Sequence, residues 1–263
     1  MLQVEPAVSI ISIARNNKEG LANTYKSVLA QTYKNWELLL VVAPSQDGTN
    51  AFSENLASSD SRIKTFPQVG LGIYSAMNQG LREANGDYVW FLNSGDEFYD
   101  DATLEFALEQ IKLLDADLLI GGYSLSGHAE SKQYLKTSKR LSGFEFAFNR
   151  RGGCHQAMLF QKTRVLEFGG FDLNFELASD FDLVMKIVKK RNTFRVDRVF
   201  ACIELGGVSD QRIYDVIREK HLIRRSHFAR KTLVLFISLG WGIAVKSKIC
   251  ARNFFGLLKK HLN

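Results

Sequence analysis

The sequence predicts an α/β protein, with a mixed, mostly parallel sheet flanked by helices. Three observations carry that expectation. Short apolar runs alternate with segments of helical periodicity through the first half of the chain. One run, Val89-Trp90-Phe91-Leu92, is apolar at every position, the pattern of a strand buried on both faces of a parallel sheet. The runs also end in small polar or acidic residues, which suit loops at the carboxyl ends of strands, where open α/β sheets hold ligands.

Val8 to Ala14 reads as the first strand, stopping at Arg15-Asn16-Asn17; Leu21, Tyr25, Val28 and Leu29 then recur at helical spacing. Trp36 to Val42 is the second strand and ends in Pro44-Ser45-Gln46-Asp47-Gly48-Thr49, a turn-rich loop with an N-cap candidate for the next helix. Ile63 to Phe66 is a short third strand, Ile73 to Ala84 a helix closed by Gly86, and Val89 to Leu92 the fourth strand. Leu104 to Leu114 reads as a helix and Asp117 to Gly121 as a strand. Residues 122–152 are weakly patterned and suggest a hairpin plus loop. Gln156 to Phe160 follows as a strand, Arg164 to Phe168 as a short helix, Asp182 to Arg191 as an amphipathic helix, and Phe194 to Leu205 as two strands or one bent strand. Right-handed βαβ winding would send the first-half loops to one edge, so that Asn16, Asp47 and Asp96 line one cleft.

At 263 residues the chain can hold one large α/β domain, or a domain plus a tail. An apolar fraction of 46% with 24% charged residues excludes wholesale disorder. Cys154, Cys202 and Cys250 show neither ligand spacing nor a paired framework, which favours a reducing compartment and no structural zinc. The first residues carry no basic n-region or long apolar stretch, so no secretory signal is expected. The net charge of +6 is unevenly placed: residues 216–263 are rich in Arg, Lys and His, while Asp and Glu are concentrated earlier in the chain. With no nucleic-acid-binding motif beside it, an anionic membrane surface ranks ahead of simple solvation, and no nucleic-acid partner is expected.

Taken from the residues alone, Asp96 follows a glycine at a strand end and suits a hard cation and the phosphates it carries. An ordinary strand-to-loop turn with an exposed Asp is the alternative. Asp180 precedes an amphipathic helix, where Ser179, Asp180 and Asp182 are all competent caps, and this reading leads on the residues alone. His155 reads as structural or surface, Asp47 as a cap, and the helix bearing Asn78 has plain core spacing at Ile73, Met77 and Leu81.

The loops taken together add more. Val8 to Ile13, Ser27-Val28-Leu29-Ala30-Gln31-Thr32-Tyr33, Ser45-Gln46-Asp47-Gly48-Thr49 and Gly72-Ile73-Tyr74-Ser75-Ala76-Met77-Asn78-Gln79-Gly80 occur in order. Ala84-Asn85-Gly86-Asp87-Tyr88, Phe91-Leu92-Asn93-Ser94-Gly95-Asp96, His155-Gln156-Ala157, Ala178-Ser179-Asp180-Phe181-Asp182-Leu183 and Gly206-Gly207-Val208-Ser209 follow. The set resembles glycosyltransferase family 2, of the GT-A fold, and within it the bacterial exopolysaccharide and colanic-acid biosynthesis enzymes, over about residues 7 to 210. The resemblance implies a metal-dependent inverting enzyme that moves a sugar from a nucleotide-diphosphate donor to a lipid-linked saccharide acceptor, in exopolysaccharide or lipopolysaccharide synthesis. It implies Mg²⁺ or Mn²⁺ held by Asp96, with Asn93 adding a carbonyl or binding ribose or phosphate. Asp180 falls where the family places its general base, His155 and Gln156 in an acceptor-side loop, Asp47 near the nucleobase, and Asn78 on the helix facing the donor. Gly206 to Ser209 would be a loop closing over the diphosphate, or a plain glycine turn. Ala43 and Gly70 stand where acidic residues are usual, which leaves the donor nucleotide open and motivates the alternative of a catalytically degenerate sugar-binding or scaffold subunit.

Residues 1–210 are thus expected to form the GT-A domain and 211–263 a helical, basic amphipathic extension. The apolar run Thr232 to Val245 is shorter than the roughly 20 residues that span a bilayer. Flanking basic residues, with Phe236 and Trp241, suit an anionic interface, and Phe254 to Lys260 is a second such segment. That places the protein in the cytoplasm, peripheral on the inner face of the plasma membrane. A helix packed back on the domain, or a homodimer contact, is the other reading.

Overall fold

A computed structural model of the chain describes residues 7–126, 139–148 and 153–228. The first four strands fall on the apolar runs: β1 (Val8–Ala14), β2 (Trp36–Val42), β3 (Ile63–Pro67) and β4 (Tyr88–Phe91). Between them lie α1 (Lys18–Ala30), α2 (Thr49–Ser59) and α3 (Ile73–Glu83). Every residue of β2 is buried, as a nearly all-apolar run in a sheet covered on both faces must be. Its one charge, Glu37, accepts from Ser9 Oγ (2.7 Å), Asn85 N (2.7 Å) and Lys64 Nζ (3.0 Å). Burial pushes this carboxyl up, and the donors together bring it below its ordinary value.

These strands are parallel in the order β3-β2-β1-β4. The chain winds outward from β1 to β3 and returns on the far side of β1 for β4. The strand order therefore reverses between β1 and β4, and in such sheets the ligand crevice lies past the carboxyl ends of the two strands at the reversal.

The second half is mixed. It contains β5 (Glu97–Phe98), α4 (Thr103–Leu113), β6 (Leu118–Leu125), β7 (Lys139–Arg140), α5 (Gly143–Phe148), β8 (Met158–Gln161), α6 (Lys162–Glu167), α7 (Ser179–Lys190), β9 (Thr193–Ile203) and α8 (Val208–Gln211). β8 sits antiparallel between β4 and β6, and β9 is parallel to β6. The antiparallel ladders span two or three residue pairs, against four to seven in the parallel ones, so the sheet is mostly parallel. Trp90 fills its interior, edge-on to Phe98 with ring centroids 4.9 Å apart.

Several expectations shift or narrow. The strand expected from Gln156 starts at Met158, because His155–Ala157 form a 3₁₀ turn. β6 runs past Gly121 to Leu125 and β7 pairs with β9, while the hairpin expected over residues 122–152 falls largely on 127–138 and 149–152, outside the described residues. The helix expected from Asp182 starts at Ser179, with Asp180 and Asp182 both in a first turn that favours negative charge. Residues 193–203 form one strand, whose register with β6 shifts between Ile120 and Tyr123.

The chain divides into two compact units, Met1–Gln211 and Arg212–Asn263. Of the second, the described part is α9 (Ile213–His227), whose last turn carries Arg224, Arg225 and His227. The tail segments Thr232 to Val245 and Phe254 to Lys260 lie outside the described residues. Among the described residues no helix is long and apolar enough to cross a membrane.

Candidate active site at the ends of the first and fourth strands

Past β4 the chain still follows β1, with Leu92 N donating to Ile11 O (3.0 Å) and Ser94 N to Ile13 O (3.1 Å). It then turns sharply. Asp96 N donates to Asn93 O at 3.0 Å, and Gly95 takes a φ of +98°, in the region that favours glycine. A Cβ at this position would also strike the Glu204 carboxylate. The turn delivers Asp96 into the interior, 4% exposed. Its Oδ2 accepts from Gln156 Nε2 and its Oδ1 from Glu204 N, both at 3.0 Å. Burial pushes the carboxyl up to about 6, with the Gln156 and Glu204 hydrogen bonds pulling the other way.

The 3₁₀ turn explains how one dipeptide serves two acids. Trp90 Nε1 donates to Gln156 O at 2.7 Å, and the Cys154 thiol donates to Gln156 Oε1, which leaves the Gln156 amide NH₂ for Asp96. His155 Nδ1 lies 3.0 Å from Asp180 Oδ2, and its Nε2 lies 3.3 Å from Asn93 Nδ2. The Asn93 amide is a donor, so Nε2 is the accepting nitrogen and Nδ1 carries the proton given to Asp180. The other carboxylate oxygen, Asp180 Oδ1, accepts from Tyr74 Oη (3.0 Å) and Phe181 N (2.8 Å). A continuous polar chain therefore runs Asn93–His155–Asp180–Tyr74, from the end of β4 to α3. Asn93 Oδ1 is buried with no partner among the described residues.

Asn93, Asp96, His155, Gln156 and Asp180 thus join in one bonded cluster, and Asp47 and Asn78 do not enter it. Asn78 closes its amide on the Phe171 backbone, donating to Phe171 O (2.8 Å) and accepting from Phe171 N (2.9 Å). Phe171 stacks on Tyr74 and meets Phe91 edge-on, so Asn78 fixes the segment leading into α7 and Asp180. Asp47 caps two helices. It accepts from Thr49 Oγ1, from Lys18 N at 2.9 Å and from Thr49 N at 3.0 Å, and these donors hold its carboxyl below the ordinary range. Asp47 nevertheless borders the cluster through Asn17, whose N donates to Thr49 Oγ1 and whose Nδ2 reaches Ser94 O (3.2 Å) and Glu204 Oε2 (3.4 Å).

Glu204, Thr24, Asn17 and the Tyr74–Asp180 bond were not legible as site features. Glu204 acts on Asp96 through its backbone, which has no sequence signature. Gly70 has a local cause: its φ is +86°, and a Cβ there would lie 2.6 Å from Ser75 Oγ, so a side chain would be strained and crowded. Gly206 and Gly207 lead into α8, with Gly206 N donating to Asp210 Oδ2 at 3.0 Å.

Chemically the cluster offers a carboxylate steered by two side-chain donors, able to take a proton, beside a buried carboxylate with hard oxygens. Among the described residues no group of three or more His, Cys, Asp or Glu could hold a metal ion. Asp96 and the Asn93 carbonyl, which has no partner among the described residues, are hard oxygens of the kind a divalent cation takes when most of its shell comes from elsewhere.

Comparison with known proteins gives a consistent result. The profile of Glycosyl transferase family 2 matches residues 9–172. An Escherichia coli protein named UDP-Glc:alpha-D-GlcNAc-diphosphoundecaprenol beta-1,3-glucosyltransferase WfgD is 28% identical over 217 residues, covering 81% of this chain and 83% of that protein. Among solved structures, S. aureus TarS 1-349 in complex with UDP-GlcNAc superposes with a TM-score of 0.68 at 16% identity, covering 88% of this chain and 70% of that one. The mannosyltransferase PcManGT from Pyrobaculum calidifontis, in complex with GDP-Man and Mn2+, gives 0.58 at 13% identity, covering 93% and 76%.

Proposed function

Because the chain belongs to glycosyl transferase family 2, we propose that it transfers a sugar from a nucleotide-diphosphate donor to a saccharide acceptor, with inversion, in the assembly of a cell-surface polysaccharide. One observation carries this reading: His155 and Gln156, adjacent in one turn, hold Asp180 and Asp96 respectively.

Asp180 is the general base. The acceptor hydroxyl passes its proton to an Asp180 oxygen as its own oxygen forms a bond to the anomeric carbon, and the bond from that carbon to the donor phosphate breaks on the opposite face. The His155 Nδ1–H and the Tyr74 hydroxyl keep the Asp180 carboxylate aimed until the proton arrives. Asp96, with the Asn93 carbonyl, would hold a divalent cation, which when bound neutralises the charge gathering on the departing diphosphate. Asp47 and Asn78 shape the walls of the site, capping α1 and α2 and anchoring the Phe171 segment.

The Mn2+ and GDP-Man of PcManGT, the UDP-GlcNAc of TarS and the lipid diphosphate in the name of WfgD support a metal, a nucleotide sugar and a lipid-linked acceptor here. Attachment of residues 230–263 to an anionic membrane surface would bring the site to such an acceptor.

The test is a panel of nucleotide sugars with purified protein and Mn²⁺. One donor should raise the melting temperature only when metal is present. Asp180→Asn should keep that rise and lose transfer. Wild-type transfer rates in Asp180→Asn, or no metal-dependent rise with any donor, would overturn the reading.

A further inference from the structure

One face of α1 is polar where helical packing demands apolar residues. Asn17, Leu21, Thr24, Val28 and Gln31 are spaced by four and three residues, the stripe a helix turns toward a sheet. Leu21, Thr24, Val28 and Gln31 are all buried. Burying hydroxyl and amide groups is unfavourable unless each finds a partner. Beyond bonds within the helix itself and one from Asn17 to Glu204, each of these groups meets one segment, residues 93–104. Asn17 Nδ2 donates to Ser94 O (3.2 Å). Gln31 Nε2 donates to Asp100 O (2.8 Å), and its Oε1 accepts from Leu104 N (2.9 Å). One turn before Gln31, Ser27 Oγ accepts from Phe98 N (3.2 Å).

Thr24 holds the centre of this contact. Its Oγ1 accepts from Gly95 N at 3.0 Å and lies 2.7 Å from Asp96 O, the shortest of its possible donations. Gly20 O at 3.1 Å and Asn93 O at 3.2 Å are longer alternatives for the same proton. One hydroxyl thus bridges the amide of the left-handed glycine and the carbonyl of Asp96, the residue after it, at the point where the turn would otherwise open. With Ser94 N on Ile13 O and Asp96 N on Asn93 O, the polar backbone groups of residues 94–96 named here are tied down before any ligand arrives.

We infer that Thr24 is a positioning residue for Asp96: its hydroxyl, seated on a helix that touches no reacting atom, pre-sets the Asn93–Asp96 turn so that the Asp96 carboxylate is ordered in the empty enzyme. This rests on the transferase reading above, because it assigns Asp96 to the cation and diphosphate. It predicts that binding in the site draws on order already present, so that loss of the hydroxyl appears as weaker binding with the sheet intact.

Thr24→Val keeps the volume and removes the hydroxyl; Thr24→Ser keeps the hydroxyl. The first readout is amide hydrogen exchange of Gly95 in the metal-free protein, followed by NMR against the Ile11 amide in β1. Gly95 should be protected in wild type and in Thr24→Ser, and should exchange at least about tenfold faster in Thr24→Val while Ile11 is unchanged. The second readout is a Mn²⁺ titration in the presence of UDP as probe. The half-saturating Mn²⁺ concentration should rise about 10- to 100-fold in Thr24→Val and stay within about threefold of wild type in Thr24→Ser. An unprotected Gly95 amide in wild type, a measurement that needs no variant, would overturn the inference. So would unchanged Gly95 exchange, or an unchanged Mn²⁺ requirement, in Thr24→Val. A wild-type protein that shows no Mn²⁺ binding with UDP or with any other nucleoside diphosphate counts instead against the transferase reading.

Discussion

His155 and Asp180 form a directed pair: Nδ1–H of the imidazole points at Oδ2 of the carboxylate across 3.0 Å, and Asn93 on the far nitrogen fixes which ring position carries that proton. Through Asn93 the pair ties the end of β4 to the first turn of α7, two elements far apart in sequence. An acid in the first turn of a helix would by itself serve the helix. The imidazole and the Tyr74 hydroxyl give Asp180 an orientation that capping does not require.

Removing the imidazole should therefore weaken proton transfer and spare donor binding. We expect His155→Phe to lower the rate of transfer about 10- to 100-fold, less than the 10²- to 10⁴-fold expected of Asp180→Asn. Tyr74→Phe, which removes one hydrogen bond to the same carboxylate, should cost roughly fivefold. Single-turnover rates beside the metal-dependent melting shift separate the two effects; a lost shift in His155→Phe would place the histidine in donor binding instead.

Asp96 must be ionised to hold a cation, and its folded pKa is raised to about 6. At low Mn²⁺, activity should fall on the acid side with a midpoint near pH 6. The cation and the proton compete for the same oxygens, so raising Mn²⁺ tenfold should move that limb downward by up to about one pH unit. A limb indifferent to Mn²⁺ would detach Asp96 from the metal.

The same raised pKa has a consequence for stability. The folded protein binds the Asp96 proton more tightly than the unfolded chain, whose carboxyl has the ordinary value of 3.8. The resulting stabilisation is full below about pH 4 and is lost as pH rises through about 6. Asp96→Asn removes the buried charge but turns an NH₂ toward the Gln156 Nε2 or Glu204 N donor, so its stability relative to wild type should be better at pH 7.5 than at pH 4 by about 1–2 kcal/mol in the metal-free protein. Thermal melts at the two pH values test this; the variant should also lose the metal-dependent shift.

Gly95→Ala should harm both stability and function. Its φ of +98° costs a β-carbon about 1–2 kcal/mol, and the added methyl meets the Glu204 carboxylate. Adding Glu204→Ala should relieve the collision and leave the backbone cost, recovering part of the lost melting temperature. Full recovery would mean that the left-handed backbone is not the constraint.

The parallel half of the fold was legible because Val8–Ala14, Trp36–Val42 and Val89–Leu92 are covered on both faces and are apolar at every position but Ser9, Ser12 and Glu37. The second half was harder. Gln156 and Ala157 look like strand residues, but Trp90 takes the Gln156 carbonyl and the chain enters β8 only at Met158. For the site, the ordered motifs pointed to Asp96, Asn93, His155, Gln156 and Asp180, which the fold assembles. They also pointed to Asn78 and Asp47, whose polar groups serve Phe171 and the two helix ends. Amide and carboxylate side chains can satisfy a neighbouring backbone as well as a ligand, and local spacing does not distinguish the two. Thr24 carries no signature of its own, because a threonine in a helical stripe looks like a tolerated substitution for valine until its neighbour across the gap is known.

The 3₁₀ turn at His155–Ala157 also bears on how tightly the two acids are matched. Their holders are consecutive residues, so the gap between them is governed by a single peptide link, about 3.8 Å from one α-carbon to the next. Breathing of the sheet, or a longer loop elsewhere, moves both ends of that ruler together. Inserting a single residue between positions 155 and 156 should therefore disable the enzyme more thoroughly than insertions of several residues in distant surface loops.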